Sequence, residues 1–227
     1  MIVPPKNPNE TNREYAFRVI SMNIISLDIE PGSMIGEQEI ANVLGLSRTP
    51  VHEALLELSK SKIVDILPQK GCLVSMIDSD LIREARFLRI TVETALVEDA
   101  CEMAKEADIN ELEENLQLQE FYLSKDTDKF FNLDNEFHKT IYRICNKMQC
   151  YYMVNLMSIH FDRVRNLSLH SVKDLKIVSD HHAICDAIKA KDPVAARAAF
   201  QKHMARFELD WNIISREYKQ YISDGSK

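Results

Sequence analysis

Seven histidines are spread over 227 residues, and three of them are spaced to meet. Asp134 and His138 lie four residues apart, so on a helix they project from one face, a turn apart. His181 and His203 stand eleven residues either side of Asp192. There Asp192-Pro193 offers an N-cap and a first-turn proline, and so should end one helix and start the next. In an antiparallel hairpin both rings would then sit roughly 16 Å above that turn, at ~1.5 Å per residue. His182 points about 100° away from His181 on an ideal helix, and His181 is the inward ring because it shares a face with Ile184, Cys185 and Ile188. A lone helical histidine ordinarily satisfies a local hydrogen bond. One carboxylate and three imidazoles converging in a bundle interior would instead hold a divalent cation, zinc first and nickel or manganese next, with positions open for water or a ligand carboxylate. A metal-dependent hydrolase is one use of such a set, but no H-E-x-x-H base accompanies it, and the expectation is a protein that is not an enzyme.

A second group of residues suits nucleic acid. Ser47, Arg48 and Thr49 cluster where a helix should begin, and there free backbone N–H groups and the helix dipole favour phosphate. Arg48 could grip guanine O6 and N7 with two donors, and Gln38 could pair with adenine. Pro68-Gln69-Lys70-Gly71 separates two short apolar runs, Ile63–Leu67 and Cys72–Ser75. That pattern predicts a β-hairpin whose tip carries Lys70 over Gly71. The net charge of −7 opposes non-specific binding, and residues 1–75 hold seven Lys or Arg against nine Asp or Glu. Affinity must therefore come from a local patch and from dimerisation, and should weaken with salt.

The elements that would position these groups follow from periodicity. Helices are predicted over Glu14–Ser26, Glu37–Leu44 (closed by Gly45) and from about Arg48 to Lys60, with the hairpin after them. From Asp78 onward the pattern gives about six long amphipathic helices, near 79–105, 108–125, 127–145, 148–169, 172–191 and 193–222. With only 5 Gly and 7 Pro to make turns, a many-stranded fold is disfavoured. The predicted fold is mainly α: a winged helix-turn-helix over residues 1–76, then an all-α antiparallel bundle over 77–227. Five cysteines without a C-x-x-C pair, no apolar leader and no run of eighteen apolar residues point to a reduced cytoplasmic protein with no membrane span.

Two stretches resemble a known family. Pro31-Gly32-Ser33-Met34-Ile35, the run Leu44-Gly45-Leu46-Ser47-Arg48-Thr49-Pro50-Val51-His52-Glu53-Ala54-Leu55, and Pro68-Gln69-Lys70-Gly71 together resemble the GntR DNA-binding domain. Arg89-x-x-x-Glu93, Asp134-x-x-x-His138, Asn146, His181-x-Ala183-Ile184-x-x-Ala187-Ile188 and Asp192 through His203 are similar to the FCD effector domain of the FadR-type subfamily. The resemblance implies Arg48 and Thr49 as DNA contacts with Gly71 at the wing tip, and Asp134, His138, His181 and His203 as metal ligands. It also implies a small organic acid as effector with Arg89 nearest its carboxylate; Arg163 and Arg165 are further effector candidates. The expected molecule is a homodimeric regulator, a repressor by expectation, reading a palindromic double-stranded operator, with the metal itself as an alternative signal. Two positions depart from the family pattern: His52 and Gln38 stand where relatives usually carry arginine.

Overall fold

The computed structural model describes residues 1–171 and 176–223, without the side chains of 208–210. The chain opens with α1 (Asn12–Ile25). Its start is a capping box, in which Thr11 Oγ1 accepts from the Glu14 N–H and Glu14 Oε2 accepts from the Thr11 N–H. Ala16, Ile20 and Ile24, four apart, are fully buried. Next come α2 (Glu37–Leu44) and α3 (Arg48–Lys60), joined by a tight turn in which Gly45 takes a left-handed φ of 65°. Pro50 sits in the first turn of α3, where its missing N–H costs no helical bond.

The hairpin is present as β2 (Val64–Leu67) and β3 (Gly71–Val74), antiparallel, with Leu67 opposite Gly71. A third strand, β1 (Met34–Ile35), pairs with the other edge of β3, giving the order β1-β3-β2. Two residues are too few to show an alternation, so the sequence pattern could not reveal β1. Its presence explains Gly71: φ is 110°, and a Cβ there would lie 2.9 Å from the Ile35 carbonyl oxygen.

After Asp78, which caps its own helix through Oδ1, seven α-helices follow among the described residues: α4 (Ser79–Met103), α5 (Glu106–Tyr122), α6 (Thr127–Ile144), α7 (Met148–Ser171), α8 (Lys176–Lys189), α9 (Pro193–Ala205) and α10 (Phe207–Glu217). Two boundaries correct the sequence reading. The break expected at Asp108 lies at Ala104-Lys105, because Asp108 caps from within the helix, its Oδ2 accepting from the Lys105 N–H. The single helix expected over 193–222 is interrupted at Arg206, and a short 3-10 turn (Lys219–Tyr221) follows α10. The helix start expected at 172 lies outside the described residues. No helix among the described residues is long and apolar enough to cross a membrane.

Two apolar cores form. One joins α1–α3 to the sheet and takes Ile159 from α7; the other fills the bundle around Leu112, Leu116, Phe137, Ile184 and Phe200. Helix α7 is thus the element common to both. Its fully buried Arg163 donates to the Ser75 and Met76 carbonyls, and its His160 Nε2 lies 2.6 Å from the Ser61 carbonyl oxygen. The far end of the chain closes on the same joint: the Ile77 N–H donates to the Tyr221 carbonyl, and the Ser223 N–H to the Ile77 carbonyl.

Candidate metal centre and nucleic-acid interface

Three imidazoles meet inside the bundle: His138 from α6, His181 from α8 and His203 from α9. One ring nitrogen from each lies within 4.8 Å of the others. The hairpin geometry delivers this, since α9 starts at Asp192, whose Oδ1 accepts from the Ala195 N–H with Pro193 in the first turn. The His181 and His203 ring centroids are 4.5 Å apart.

Hydrogen bonds on the far edges set the tautomers. His138 Nδ1 lies 2.6 Å from Glu93 Oε2, and a carboxylate only accepts, so Nδ1 carries a proton and Nε2 is the ring's ligating atom in the neutral tautomer. His181 Nδ1 lies 2.8 Å from Gln119 Oε1, with the same result. Gln119 is itself oriented by donating through Nε2 to Asn115 Oδ1. His138 Nε2, His181 Nε2 and His203 Nδ1 are buried with no hydrogen-bond partner among the described residues. Burial pushes His181 down to about 3 despite the opposing charge of Asp134. Burial, then the neighbouring His181 and His138, also holds His203 well below its ordinary value. Both rings are therefore neutral near pH 7.

Asp134 is brought alongside but is shared. Its Oδ1 lies 3.4 Å from His181 Nε2, while Oδ2 accepts from Arg165. Burial opposes its charge, but Arg165, with the imidazoles adding to it, holds the carboxyl well below the usual range. Buried lone pairs without donors are costly, on the order of 1–3 kcal/mol each. Neutral nitrogens beside one anionic oxygen are a donor set that suits a divalent cation such as zinc. The residues fit the ion.

On the first lobe, Ser47, Arg48 and Thr49 are exposed at the start of α3. Ser47 is the N-cap residue, yet its side chain makes no cap hydrogen bond. Arg48 Nε donates to Glu37 Oε2 at 2.5 Å, and His52 Nδ1 lies 2.7 Å from Glu37 Oε1. The exposed Gln38 donates to Asn42 Oδ1 at 3.0 Å. Lys70 is exposed at the hairpin turn beside Gly71. All seven residues singled out in the sequence thus belong to α2, α3 and their edges or to the wing.

Residues 13–74 match the family described as bacterial regulatory proteins, gntR family, and residues 84–206 match the FCD domain. An HTH-type transcriptional regulator in an unstable DNA locus of Streptomyces ambofaciens is 32% identical over 86% of this chain and 82% of its own. The chain belongs to the GntR family, with an FCD domain. It is a DNA-binding transcriptional regulator, and the hydrolase alternative falls with that membership. The HTH-type transcriptional repressor RspR of Escherichia coli K12 is 27% identical over 96% of both chains. In fold, the solved structure of E. coli McbR/YncC superposes with a TM-score of 0.79 at 21% identity, covering 92% of this chain and 99% of the other.

Within the FCD domain, a cavity of about 60 Å³ lies beside the imidazoles, and Arg89, Arg165, Arg206, His203, Phe161 and Phe207 are among its walls. Each guanidinium has an internal anion. Arg89 donates to Glu93 Oε1 at 2.9 Å, Arg165 donates to Asp134 and Asp162, and Arg206 donates to Asp180. Burial would raise the Glu93 carboxyl, but the charge of Arg89 and the hydrogen bonds from His138 and Arg89 outweigh it and hold it at about 2. Arg163 is a correction. It lines neither cavity beside the rings, because its terminal nitrogens are committed to the Ser75 and Met76 carbonyls and to His160 Nδ1. Sequence reasoning missed Gln119 and Arg206. Arg206 had a signal, standing three residues after His203 on the same helical face. Gln119 had none, since its contact with His181 spans 62 positions.

Proposed function

We propose that this chain is a cytoplasmic, homodimeric repressor whose two α3 helices read a palindromic operator. Its affinity is set by a small carboxylate bound in the FCD domain beside a divalent cation. His138, His181 and His203 hold that cation, with Asp134 as the anionic neighbour. The observation that carries the metal reading is the set of three buried ring nitrogens without donors, two of them fixed as acceptors by Glu93 and Gln119. Zinc suits three imidazole nitrogens and one carboxylate, and an open position would take the effector. Arg89 and Arg165 face the cavity as its cationic walls. The head, residues 1–76, and the bundle, 77–227, act as separate units across the joint at Ile77. Because Phe207 lines the cavity and opens α10, an effector there reaches the joint through α10 and Tyr221.

Elemental analysis of full-length protein purified without chelator should return one divalent ion per chain, zinc foremost. His181→Ala should bind that ion far more weakly than the roughly 10–100-fold loss typical of an outer-sphere substitution, while the first lobe stays folded by circular dichroism. Gel shifts on the intergenic DNA beside its gene, with and without a panel of small organic acids, test the rest. An undiminished metal content in His181→Ala would end the ligand assignment. A metal-loaded protein whose DNA affinity no acid alters would end the effector reading. DNA affinity that follows zinc alone would make the ion the signal.

A further inference from the structure

We infer that Glu37 is a specificity-positioning residue, holding Arg48 and His52 so that Arg48 reads guanine and His52 reads a base bearing an exocyclic amine, adenine or cytosine. This rests on α3 being the recognition helix. One carboxylate, at the first position of α2, serves both side chains of α3. Oε2 takes the Arg48 Nε–H at 2.5 Å and Oε1 takes the His52 Nδ1–H at 2.7 Å. Glu37 is itself largely covered, at 12% side-chain exposure, whereas Arg48 is 68% and His52 45% exposed.

Each bond uses the inner edge of its side chain and leaves the outer edge for DNA. With Nε committed, Arg48 still has the paired donors of both terminal nitrogens, the edge that spans guanine O6 and N7. The His52 ring donates from Nδ1, since its partner can only accept. In the tautomer whose one ring proton is committed to Glu37, Nε2 is an acceptor. In the major groove the donors within reach of such an acceptor are adenine N6 and cytosine N4. Arg48 and His52 are four residues apart, one turn on the same face, about 6 Å along the axis, so they address base pairs about one or two steps apart. An arginine at position 52 would present donors and ask for the opposite bases. His52 in this chain therefore changes the letter that is read.

The test is selection of operators from a random double-stranded library by the full-length protein, at one fixed salt concentration, for the wild type, His52→Ala, Arg48→Ala, Glu37→Ala and Glu37→Gln. The position whose preference collapses in His52→Ala is the His52 position, and the wild type should select adenine or cytosine there, which names the amine. Glu37→Ala should flatten both positions, by roughly 5- to 150-fold in base discrimination for a bidentate pair, and leave the rest of the operator intact. Glu37→Gln, which keeps the volume should the alanine variant melt, should flatten the guanine position. Guanine or thymine at the His52 position would overturn the inference, as would a uniform loss of affinity in Glu37→Ala with base preferences unchanged. Arg48→Ala and His52→Ala selecting the wild-type operator would instead mean that α3 is not the reading helix.

Discussion

The molecule uses one hydrogen-bonded arrangement twice, in opposite surroundings. In the bundle, Glu93 takes the Arg89 Nε–H on one oxygen and faces His138 Nδ1 with the other. In the first lobe, Glu37 does the same with Arg48 and His52. The bonds are alike in length; burial differs. Glu93 and His138 are about 95% hidden or more, while the His52 ring is nearly half exposed. Water can serve the outer nitrogen of His52 until DNA displaces it. Nothing among the described residues serves that of His138, and a cation is the chemistry that would. On the proposed function, the same three side-chain types would make a reading edge at the surface and a ligand cradle inside.

Four measurements would break or sharpen that contrast. The largest effect belongs to Glu93→Gln, which takes the hydrogen-bonded counterion from a buried guanidinium. Thermal or urea melting should show a loss of about 3–5 kcal/mol, against under about 1 kcal/mol for Glu37→Gln at the exposed counterpart; equal losses would erase the distinction.

His160 is a third case, a buried ring bonded to a carbonyl and a guanidinium. Burial lowers it to about 4 from an ordinary 6.5. The unfolded chain therefore takes up a proton first as pH falls. The stability this neutral ring contributes is complete above pH 6.5 and is lost between 6.5 and 4. The slope should approach roughly 1.4 kcal/mol per pH unit, and His160→Gln should flatten it in a pH series of urea melts.

Arg48→Ala should weaken specific operator binding by about 1–3 kcal/mol in a titrated gel shift, with little change in melting. Smallest is His52→Arg: it adds one fixed charge per chain and should steepen the log–log salt dependence of binding by ~0.9 for each new phosphate contact.

Much of this was legible in the residues. The α2 bounds and the Gly45 stop were readable because a left-handed glycine leaves a sequence mark. So was the meeting of His181 with His203, because Asp192-Pro193 fixes the hairpin and counting does the rest. The break at Arg206 was not, since Arg206 keeps helical angles (φ −59°, ψ −33°) and no glycine or proline announces it. Arg163 was misassigned because an arginine on a bundle helix looks the same in sequence whether it faces a cavity or a linker carbonyl. Glu37 went unnoticed as an anchor because its partners are 11 and 15 residues away, across the turn between two helices.

The pairing of Ile77 with the segment from Tyr221 to Ser223 makes that segment a gauge of the joint. A spin label or fluorophore placed near Tyr221 would sit where the two lobes join, far along the chain from the wing yet beside the peptide that leads out of it. Distances from that label to one on α3, taken with and without operator DNA, would read the angle of the head directly.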